Sequence, residues 1–173
     1  MADYITDIIE RYEANLQNDL QKVKRKGWTL MVIEEQTFEL CLAAVQTNGW
    51  SLKYVKEQTY ELCLVAVQQN GLALKYVKEQ TYELCLEAVK QDGLALKYVR
   101  EQTPEICFVA VKKNGYALRC DLGYFIVCSL EYVKEQTYEI CLEAVKHCTE
   151  ALQCIKDLEL KKLISKKIGK DCK

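Results

Sequence analysis

The sequence predicts an all-α protein, a solenoid of short antiparallel helical hairpins with a 22-residue repeat and capping helices at both ends. Three consecutive segments are nearly identical: WSLKYVKEQTYELCLVAVQQNG at 50–71, LALKYVKEQTYELCLEAVKQDG at 72–93 and LALKYVREQTPEICFVAVKKNG at 94–115. Apolar residues recur in them at helical spacing, and no run alternates as a strand would. Helices this short are not stable alone, so stacking of the repeats is expected to stabilise them.

The second helix of each repeat has clear start and stop signals. In one repeat, Thr81 precedes the apolar run and is predicted to cap it, with Glu83 in the first turn, where the helix dipole favours an anion. Gly93 follows the run and is expected to take a left-handed conformation there. The only proline, Pro104, directly follows the equivalent capping residue Thr103, a position where a missing N–H costs nothing.

The first helix of each repeat is predicted to be shorter. Leu74, Tyr76 and Val77 face one side of it, and lysine and glutamate residues face the other. The residue before the Leu74 position is always small, and its hydroxyl-bearing members are fair helix caps. This position holds Thr29, Ser51, Ala73, Ala95, Ala117, Ser129 and Ala151.

The repeat register predicts one helical-repeat domain over 1–173. Its parts are an N-terminal cap at 1–27, four repeats at 28–115, an irregular insert at 116–127, a further repeat and a partial one at 128–156, and a basic C-terminal helix at 157–173. A polar outer face is expected at the caps. Cys148-Thr149 replaces the Asn-Gly stop of the other repeats, so the last two helices are expected to merge.

Composition excludes several classes of function. The 173 residues carry 24 Lys plus Arg and 25 Asp plus Glu, a net charge of −1, which gives no general attraction to nucleic acid or anionic lipid. No apolar run approaches the roughly 18 residues of a spanning helix, and acids stand where a signal peptide would be basic. The expected location is therefore intracellular, in a cytosol-like reducing compartment.

Ten cysteines suggest a chemical site until their register is considered. Five occupy one repeat position on the apolar face: Cys41, Cys63, Cys85, Cys107 and Cys141. Neighbouring helices pack about 8–10 Å apart, too far for a disulfide, so these residues are predicted to be buried thiols. The other five cysteines, with His147, leave zinc binding open as an alternative, but no spacing matches a common zinc motif. They are Cys120, Cys128, Cys148, Cys154 and Cys172. His147 is the only histidine and closes a helix, so no catalytic set is predicted, and neither is a cofactor.

Tyrosines and lysines leave a second alternative open, a nucleic-acid-binding helical repeat. Tyr54, Tyr76, Tyr98 and Tyr132 form one ladder, and Tyr60, Tyr82 and Tyr138 form another. Aromatic ladders can stack on RNA bases, but these positions fit the rim of the core better. The C-terminal helix is rich in lysine and could contact an acidic partner, lipid or RNA through Lys161, Lys162, Lys166 and Lys167.

The insert interrupts the strict 22-residue register, and the sequence from Leu122 to Cys128 is nearly continuously apolar. If exposed, it marks a partner surface. The candidate residues there are Tyr116, Leu122, Tyr124, Phe125 and Ile126. The preferred interpretation is the alternative, in which the insert forms a buried helical turn that restores the stacking of the repeats. A stack of hairpins would accommodate the insert either by bulging it outward or by a change in the superhelix at that point.

The phrase AVKQDGLALKY at 88–98 resembles the signature of a tandem helical repeat family of unknown function. Members of this family occur in giant amoeba-infecting viruses and in amoeba-dwelling bacteria. The resemblance covers roughly residues 28–156, although the family often has slightly longer repeats with a different turn. It implies a viral or amoeba-associated origin and an interaction role, and it brings no catalytic residue or ligand.

The sequence as a whole favours a non-catalytic repeat protein that acts as a protein–protein interaction module or scaffold. A protein partner is expected, nucleic acid is not the favoured ligand, and no membrane contact is expected. A nucleic-acid-binding repeat and a zinc-binding protein remain the alternatives.

Overall fold

The structure, a computed structural model, describes residues 2–113 and 129–171 of the chain. All regular elements in these ranges are helical and follow one another at a spacing near 22 residues, so the predicted all-α repeat class is confirmed. The chain divides into two compact units, Met1–Lys78 and Glu79–Lys173. The predicted arrangement of all parts in one domain stays a prediction.

Both units alternate α-helices with short 3-10 helices. Unit 1 contains α1 (Ala2–Arg25), η1 (Gly27–Val32), α2 (Phe38–Thr47), η2 (Gly49–Tyr54), α3 (Tyr60–Gln69) and η3 (Gly71–Tyr76). Unit 2 contains α4 (Tyr82–Gln91), η4 (Gly93–Tyr98), α5 (Pro104–Lys113), η5 (Ser129–Tyr132), α6 (Tyr138–His147), η6 (Thr149–Cys154) and α7 (Leu158–Asp171).

The α-helices begin as the sequence predicts. The Thr81 side chain accepts a hydrogen bond from the Leu84 N–H at 3.3 Å, and the equivalent threonine bonds recur at α2, α3, α5 and α6. The predicted helix stop is wrong in its geometry. Gly93 is not a left-handed residue after α4 but the first residue of η4, because Asp92 makes the turn in an extended conformation.

The first helix of each repeat is a 3-10 helix. An Asn or Asp before the glycine caps η2, η3 and η4: Asn70 Oδ1 accepts from the Leu72 N–H at 3.0 Å, and Asp92 Oδ1 from the Leu94 N–H at 2.9 Å. The small residue predicted as a cap has another role. Ser51 and Ser129 are buried, and the Ser129 hydroxyl donates to the Ala110 carbonyl at 3.1 Å.

The core repeats with the sequence. Each described repeat buries a Leu or Ile, a Cys, an Ala and a Val from the α-helix, and a Leu and a Val or Ile from the 3-10 helix and its end. At the small position Ser51, Ala73, Ala95, Ser129 and Ala151 are fully or almost fully buried, which explains why no large residue stands there, and Thr29 in the first repeat is half-buried. Each hairpin therefore buries its stripe only by packing between neighbours within its unit.

The ends differ from the expectation. Residues 2–25 form one helix, whose Leu20 and Val23 are buried as predicted from their match to the repeat, but its first three turns expose apolar residues rather than a polar face. The last helices do not merge, because α6 ends at His147 and Cys148 adopts the same extended turn as Asn48.

Candidate interaction surfaces

A glutamine in each inter-helix turn joins neighbouring repeats. Gln58 Nε2 donates to the Leu52 carbonyl of its own repeat at 3.3 Å and to the Tyr76 carbonyl of the next repeat at 2.9 Å. Gln58 Oε1 accepts from the Lys78 N–H at 3.0 Å. We call this arrangement the glutamine clasp. It recurs at Gln36, Gln80, Gln102 and Gln136.

Lysine side chains strengthen the same turns. Lys56 Nζ donates to the Glu34 carbonyl of the preceding repeat at 2.6 Å, and Lys78 Nζ donates to the Lys56 carbonyl at 2.7 Å. In unit 2, Lys134 and Lys156 donate to Arg100 and Val133 carbonyls, each at 2.9 Å. These ammonium groups satisfy backbone oxygens of the turn, so they belong to the framework of the repeats rather than to a ligand site.

The clasp continues across the insert. Gln102 Nε2 reaches the Tyr132 carbonyl at 2.9 Å, and its Oε1 accepts from the Lys134 N–H at 3.0 Å. The same bonds of Gln58 span 18 and 20 residues, whereas those of Gln102 span 30 and 32. The repeats on either side of the insert therefore contact each other as ordinary neighbours.

The cysteine ladder is a core feature. Cys41, Cys63, Cys85, Cys107 and Cys141 are free thiols and are each at most 4% exposed. Cys85 Sγ lies 3.6 Å from Gln80 Oε1, so the thiol donates weakly to the clasp. Burial raises the pKa of these thiols, in Cys141 to about 11. Because the thiolate is the nucleophile, the ladder is poorly suited to covalent chemistry.

We expect Cys63, Cys85 and Cys107 to react with iodoacetamide at pH 8 at least about a hundredfold more slowly than the half-buried Cys148. Labelling of the native chain followed by peptide mass spectrometry measures this ratio. Comparable rates for the ladder and Cys148 would contradict the burial.

The raised pKa of Cys141 also sets a pH dependence. Its contribution to stability is complete below the unfolded pKa of about 8.5 and is lost as the pH rises through about 11.

The residues predicted as contact sites fall into two groups. Tyr116, Leu122, Tyr124, Phe125 and Ile126 lie outside the described residues, so both interpretations of the insert stay predictions. The C-terminal lysines are on α7, where Lys161 is half-buried and Lys162, Lys166 and Lys167 are exposed. Lys162 Nζ lies 2.8 Å from Glu159 Oε1, and Lys162 and Lys166 border an open groove between α7 and the start of α6.

Of the residues considered for zinc or catalysis, Cys120, Cys128 and Cys172 lie outside the described residues, and the others have local contacts. His147 Nε2 lies 3.2 Å from Glu143 Oε1, one turn earlier on α6, and Cys148 Sγ donates to Glu150 at 3.1 Å. In residues 2–113 and 129–171, no three His, Cys, Asp or Glu side chains are grouped so that they could hold a metal ion. Of the helices in these ranges, none combines the length and the apolar character that crossing a membrane requires.

The most distinctive surface in unit 1 is lined by the ends of α1 and α2, by η1 and η2, and by Tyr76 at the end of η3. It is a concavity of about 460 Å³. Two indoles, two phenols and three cationic side chains line it, and no acidic residue does. We call it the aromatic–basic surface and define it by Trp28, Trp50, Tyr54, Tyr76, Arg25, Lys26 and Lys53.

The rings of this surface are held in place by neighbouring groups. Trp50 and Tyr76 meet edge to face, with ring centroids 5.7 Å apart and planes at 69°. Lys53 Nζ lies over the Tyr54 ring, 5.6 Å from its centroid. Trp28 is the least covered of the rings, with half of its surface (51%) exposed. The site thus combines preorganised rings with an exposed indole beside positive charge.

The two predicted tyrosine ladders differ in exposure. Tyr54, Tyr76, Tyr98 and Tyr132 are half-buried at the rim, as expected, and a lysine Nζ lies over the rings of the first three at 4.8–5.6 Å. In the other ladder Tyr60 and Tyr82 are more exposed and Tyr138 is half-buried, and a hydrogen bond to Glu105 raises the pKa of the Tyr82 hydroxyl. Lysine-covered rings leave less room for a stacked base.

Sequence reasoning missed the aromatic–basic surface. Its tryptophans stand at a repeat position that holds leucine in the next two repeats, at 72 and 94. Tryptophan has the largest side chain of all residues and replaces this leucine in two repeats. That replacement was the available signal, because a purely structural position needs no indole.

Comparison with known families agrees with the repeat architecture. Neither the curated proteins nor the solved structures give a significant match to this chain. A domain of unknown function, DUF4116, matches twice in tandem, at residues 37–81 and 81–120. The first match runs from the cap of α2 to the cap of α4, which is two complete repeats. The chain is thus similar to a tandem helical repeat family of unknown function.

Proposed function

We propose that this chain is a non-catalytic interaction module that binds another protein through the aromatic–basic surface of unit 1. The observation that carries the proposal is the acid-free concavity in which the exposed Trp28 lies beside Arg25, Lys26 and Lys53. Trp, Tyr and Arg are the residues that most often dominate the energy of protein interfaces. Rings already fixed by neighbours lose little conformational freedom on binding.

The chemistry of the surface defines the partner. The cations favour an acidic segment, and the indoles and phenols favour an apolar or aromatic anchor within it. The partner is therefore an acidic peptide segment with at least one large apolar side chain. No cofactor or metal takes part in this function.

Purified chain and fluorescein-labelled acidic peptides, with and without one central Phe or Trp, test the proposal by fluorescence anisotropy. We expect the anchored peptides to bind, and Trp28→Ala and Lys53→Glu each to weaken binding by about tenfold or more. Phe38→Ala is the matched control, because Phe38 is an exposed aromatic (45%) at the opposite end of the hairpin. Absence of peptide binding, or equal effects of Trp28→Ala and Phe38→Ala, would contradict the assignment.

A nucleic-acid ligand is the alternative that the same experiment separates. A labelled single-stranded oligonucleotide of 20 nucleotides is expected to bind weakly at 150 mM salt, because the cations are few and the tyrosine rings are covered by lysine. Oligonucleotide binding that is tighter than peptide binding and falls steeply with salt would favour the nucleic-acid function instead.

The setting of this function follows from the cysteines and the family resemblance. The seven described cysteines are free thiols, which supports a reducing, cytosol-like compartment. The resemblance to repeats of giant amoeba-infecting viruses and amoeba-dwelling bacteria supports an origin in such a virus or bacterium. The partner is therefore best sought in the infected or host cell. Affinity purification with the wild-type chain and the Trp28→Ala variant would separate partners of the surface from background.

A further inference from the structure

The positive charge of the aromatic–basic surface extends beyond its concavity within unit 1. The segments 20–33, 40–56 and 62–78 each run from an α-helix through the 3-10 helix that follows it, and they contain no aspartate or glutamate. The acidic residues between positions 20 and 78 stand in the turn before α2 or α3 or in the first turn of these helices, and they are Glu34, Glu35, Glu39, Glu57 and Glu61. The end of the hairpins where the α-helices stop therefore carries positive charge alone.

The cations at this end recur once per repeat. Arg25 and Lys26 form the first group, Lys53 the second and Lys75 the third, and we call these three groups the cationic rungs. The first two rungs line the concavity. Lys75 Nζ lies 5.6 Å from the centroid of the Tyr76 ring, and that ring also lines the concavity. The third rung is therefore directly beside the aromatic–basic surface.

The next repeat, in unit 2, departs from this charge pattern. Asn48 lines the concavity, and Asn70 takes the equivalent position in the following repeat. In unit 2 that position holds Asp92, which caps η4. Lys97 of η4 lies over the ring of the tyrosine that follows it, as Lys53 and Lys75 do, but the same turn also carries the negative charge of the aspartate. A purely positive row of cations is thus a property of unit 1.

The spacing of the rungs matches one regular conformation of a bound peptide. Helix η1 contacts η2, and η2 contacts η3. Neighbouring helices pack about 8–10 Å apart. A polyproline II helix advances about 3.1 Å per residue with three residues per turn, so every third side chain faces the same way about 9 Å farther along. A β-strand returns to the same face every second residue, after about 7 Å, and does not match the rungs.

We propose that the partner of the aromatic–basic surface binds as a polyproline II segment with an acidic side chain at every third position, one to each cationic rung. This inference rests on the proposed function and specifies the sequence pattern of its partner. Because the rungs contain cations alone, charge complementarity selects an acidic segment.

The aromatic rings favour the same conformation. Polyproline II segments commonly dock in grooves lined by aromatic side chains, and they lose little conformational freedom because they are already extended. Trp28, Trp50 and Tyr54 provide such rings beside the first and second rungs. The large apolar anchor of the partner packs against these rings, and its acidic side chains reach the rungs on either side.

Two fluorescein-labelled peptides of identical composition test the proposal by fluorescence anisotropy with the full chain. Each has about 15 residues, with one Trp directly after the first of three Glu and with Pro at most other central positions. The glutamates stand at i, i+3 and i+6 in the first peptide and at i, i+2 and i+4 in the second. We expect the first peptide to bind about tenfold more tightly at 150 mM salt, because it forms three exposed ion pairs at once.

Removal of the third rung tests the assignment of charges. Lys75→Gln should weaken binding of the first peptide by about threefold and leave the second nearly unchanged, because the last glutamate of the second peptide stops about 6 Å short of that rung. Lys97→Gln is the matched control, since it removes the same charge from the same repeat position over a tyrosine ring in unit 2. Circular dichroism of each variant checks that the helical repeats remain folded.

The outcomes separate this inference from the proposed function. Equal affinities of the two peptides, or equal effects of Lys75→Gln and Lys97→Gln, would overturn the spacing and leave the proposed function in place, provided that Trp28→Ala weakens both peptides. Binding of neither peptide, or binding that Trp28→Ala leaves unchanged, would overturn both. An oligonucleotide that binds more tightly than the first peptide and is weakened by Lys75→Gln would assign the rungs to a nucleic-acid backbone instead.

Discussion

Replacing Gln58 by glutamate is expected to lower the free energy of unfolding by about 3–5 kcal/mol. Gln58 Nε2 donates to the carbonyls of Leu52 and Tyr76, and an ionised carboxylate has no hydrogen to donate to either. Both carbonyls would lose their bond and face a negative charge. The bonds from the Lys78 N–H and from the Cys63 thiol to an oxygen of the side chain would remain.

Gln68→Glu is the matched control for this substitution. Gln68 lies on α3 of the same repeat and is exposed, so the same exchange should change stability by no more than about 0.5 kcal/mol. Urea unfolding followed by far-UV circular dichroism compares the two variants. A difference of less than about 1 kcal/mol between them would show that the clasp contributes little.

The Gln58→Glu variant should also recover stability in acid. A protonated carboxyl donates one hydrogen bond, so folding favours the protonated form and raises the carboxyl pKa above the unfolded value of about 4.3. The deficit relative to wild type is then smallest below about pH 4 and grows as the pH rises through the folded-state value. A deficit independent of pH would argue against loss of the donor as its cause.

The sequence predicted the parts of the fold that depend on local patterns. Thr81 begins α4 and the Cys85 ladder is buried, because capping and helical periodicity act within a few residues. The clasp could not be predicted in this way. Gln80 stands in a polar turn where solvation explains it equally well, and its partners Tyr98 and Arg100 are backbone groups 18 and 20 residues away.

The candidate sites likewise divide into one that is visible in a local sequence pattern and one that the fold assembles from distant residues. The C-terminal lysines were recognised because a run of charge is visible in the chain, and three of the four are exposed. The aromatic–basic surface was missed because its residues come from three successive segments about 22 residues apart, with Trp28 in η1, Trp50 in η2 and Tyr76 in η3. A surface assembled across repeats depends on how they stack, and one repeat does not contain that information.

The glycines show how a correct position can have a wrong explanation. The sequence assigned them to left-handed helix stops, where the absence of a side chain relieves backbone strain. Gly49 is instead a buried first residue of η2 without a positive φ. A Cβ added there would collide with the Ala66 carbonyl oxygen of the next repeat and lie 3.3 Å from the Ala66 carbonyl carbon. Gly49 is therefore required because two repeats approach closely.

Gly49→Ala is accordingly expected to lower the free energy of unfolding by about 2–3 kcal/mol, because the contact is with backbone atoms, which cannot rotate away as a side chain can. Gly169→Ala is the matched control, since a Cβ on Gly169, in the last turns of α7, would have no atom within 4 Å. That variant should gain about 0.5 kcal/mol, because alanine favours the helix over glycine. In urea unfolding, the same one-carbon change should therefore lower the free energy of unfolding at Gly49 and raise it at Gly169. A Gly49→Ala variant at least as stable as wild type would show that the close approach of neighbouring repeats does not require glycine there.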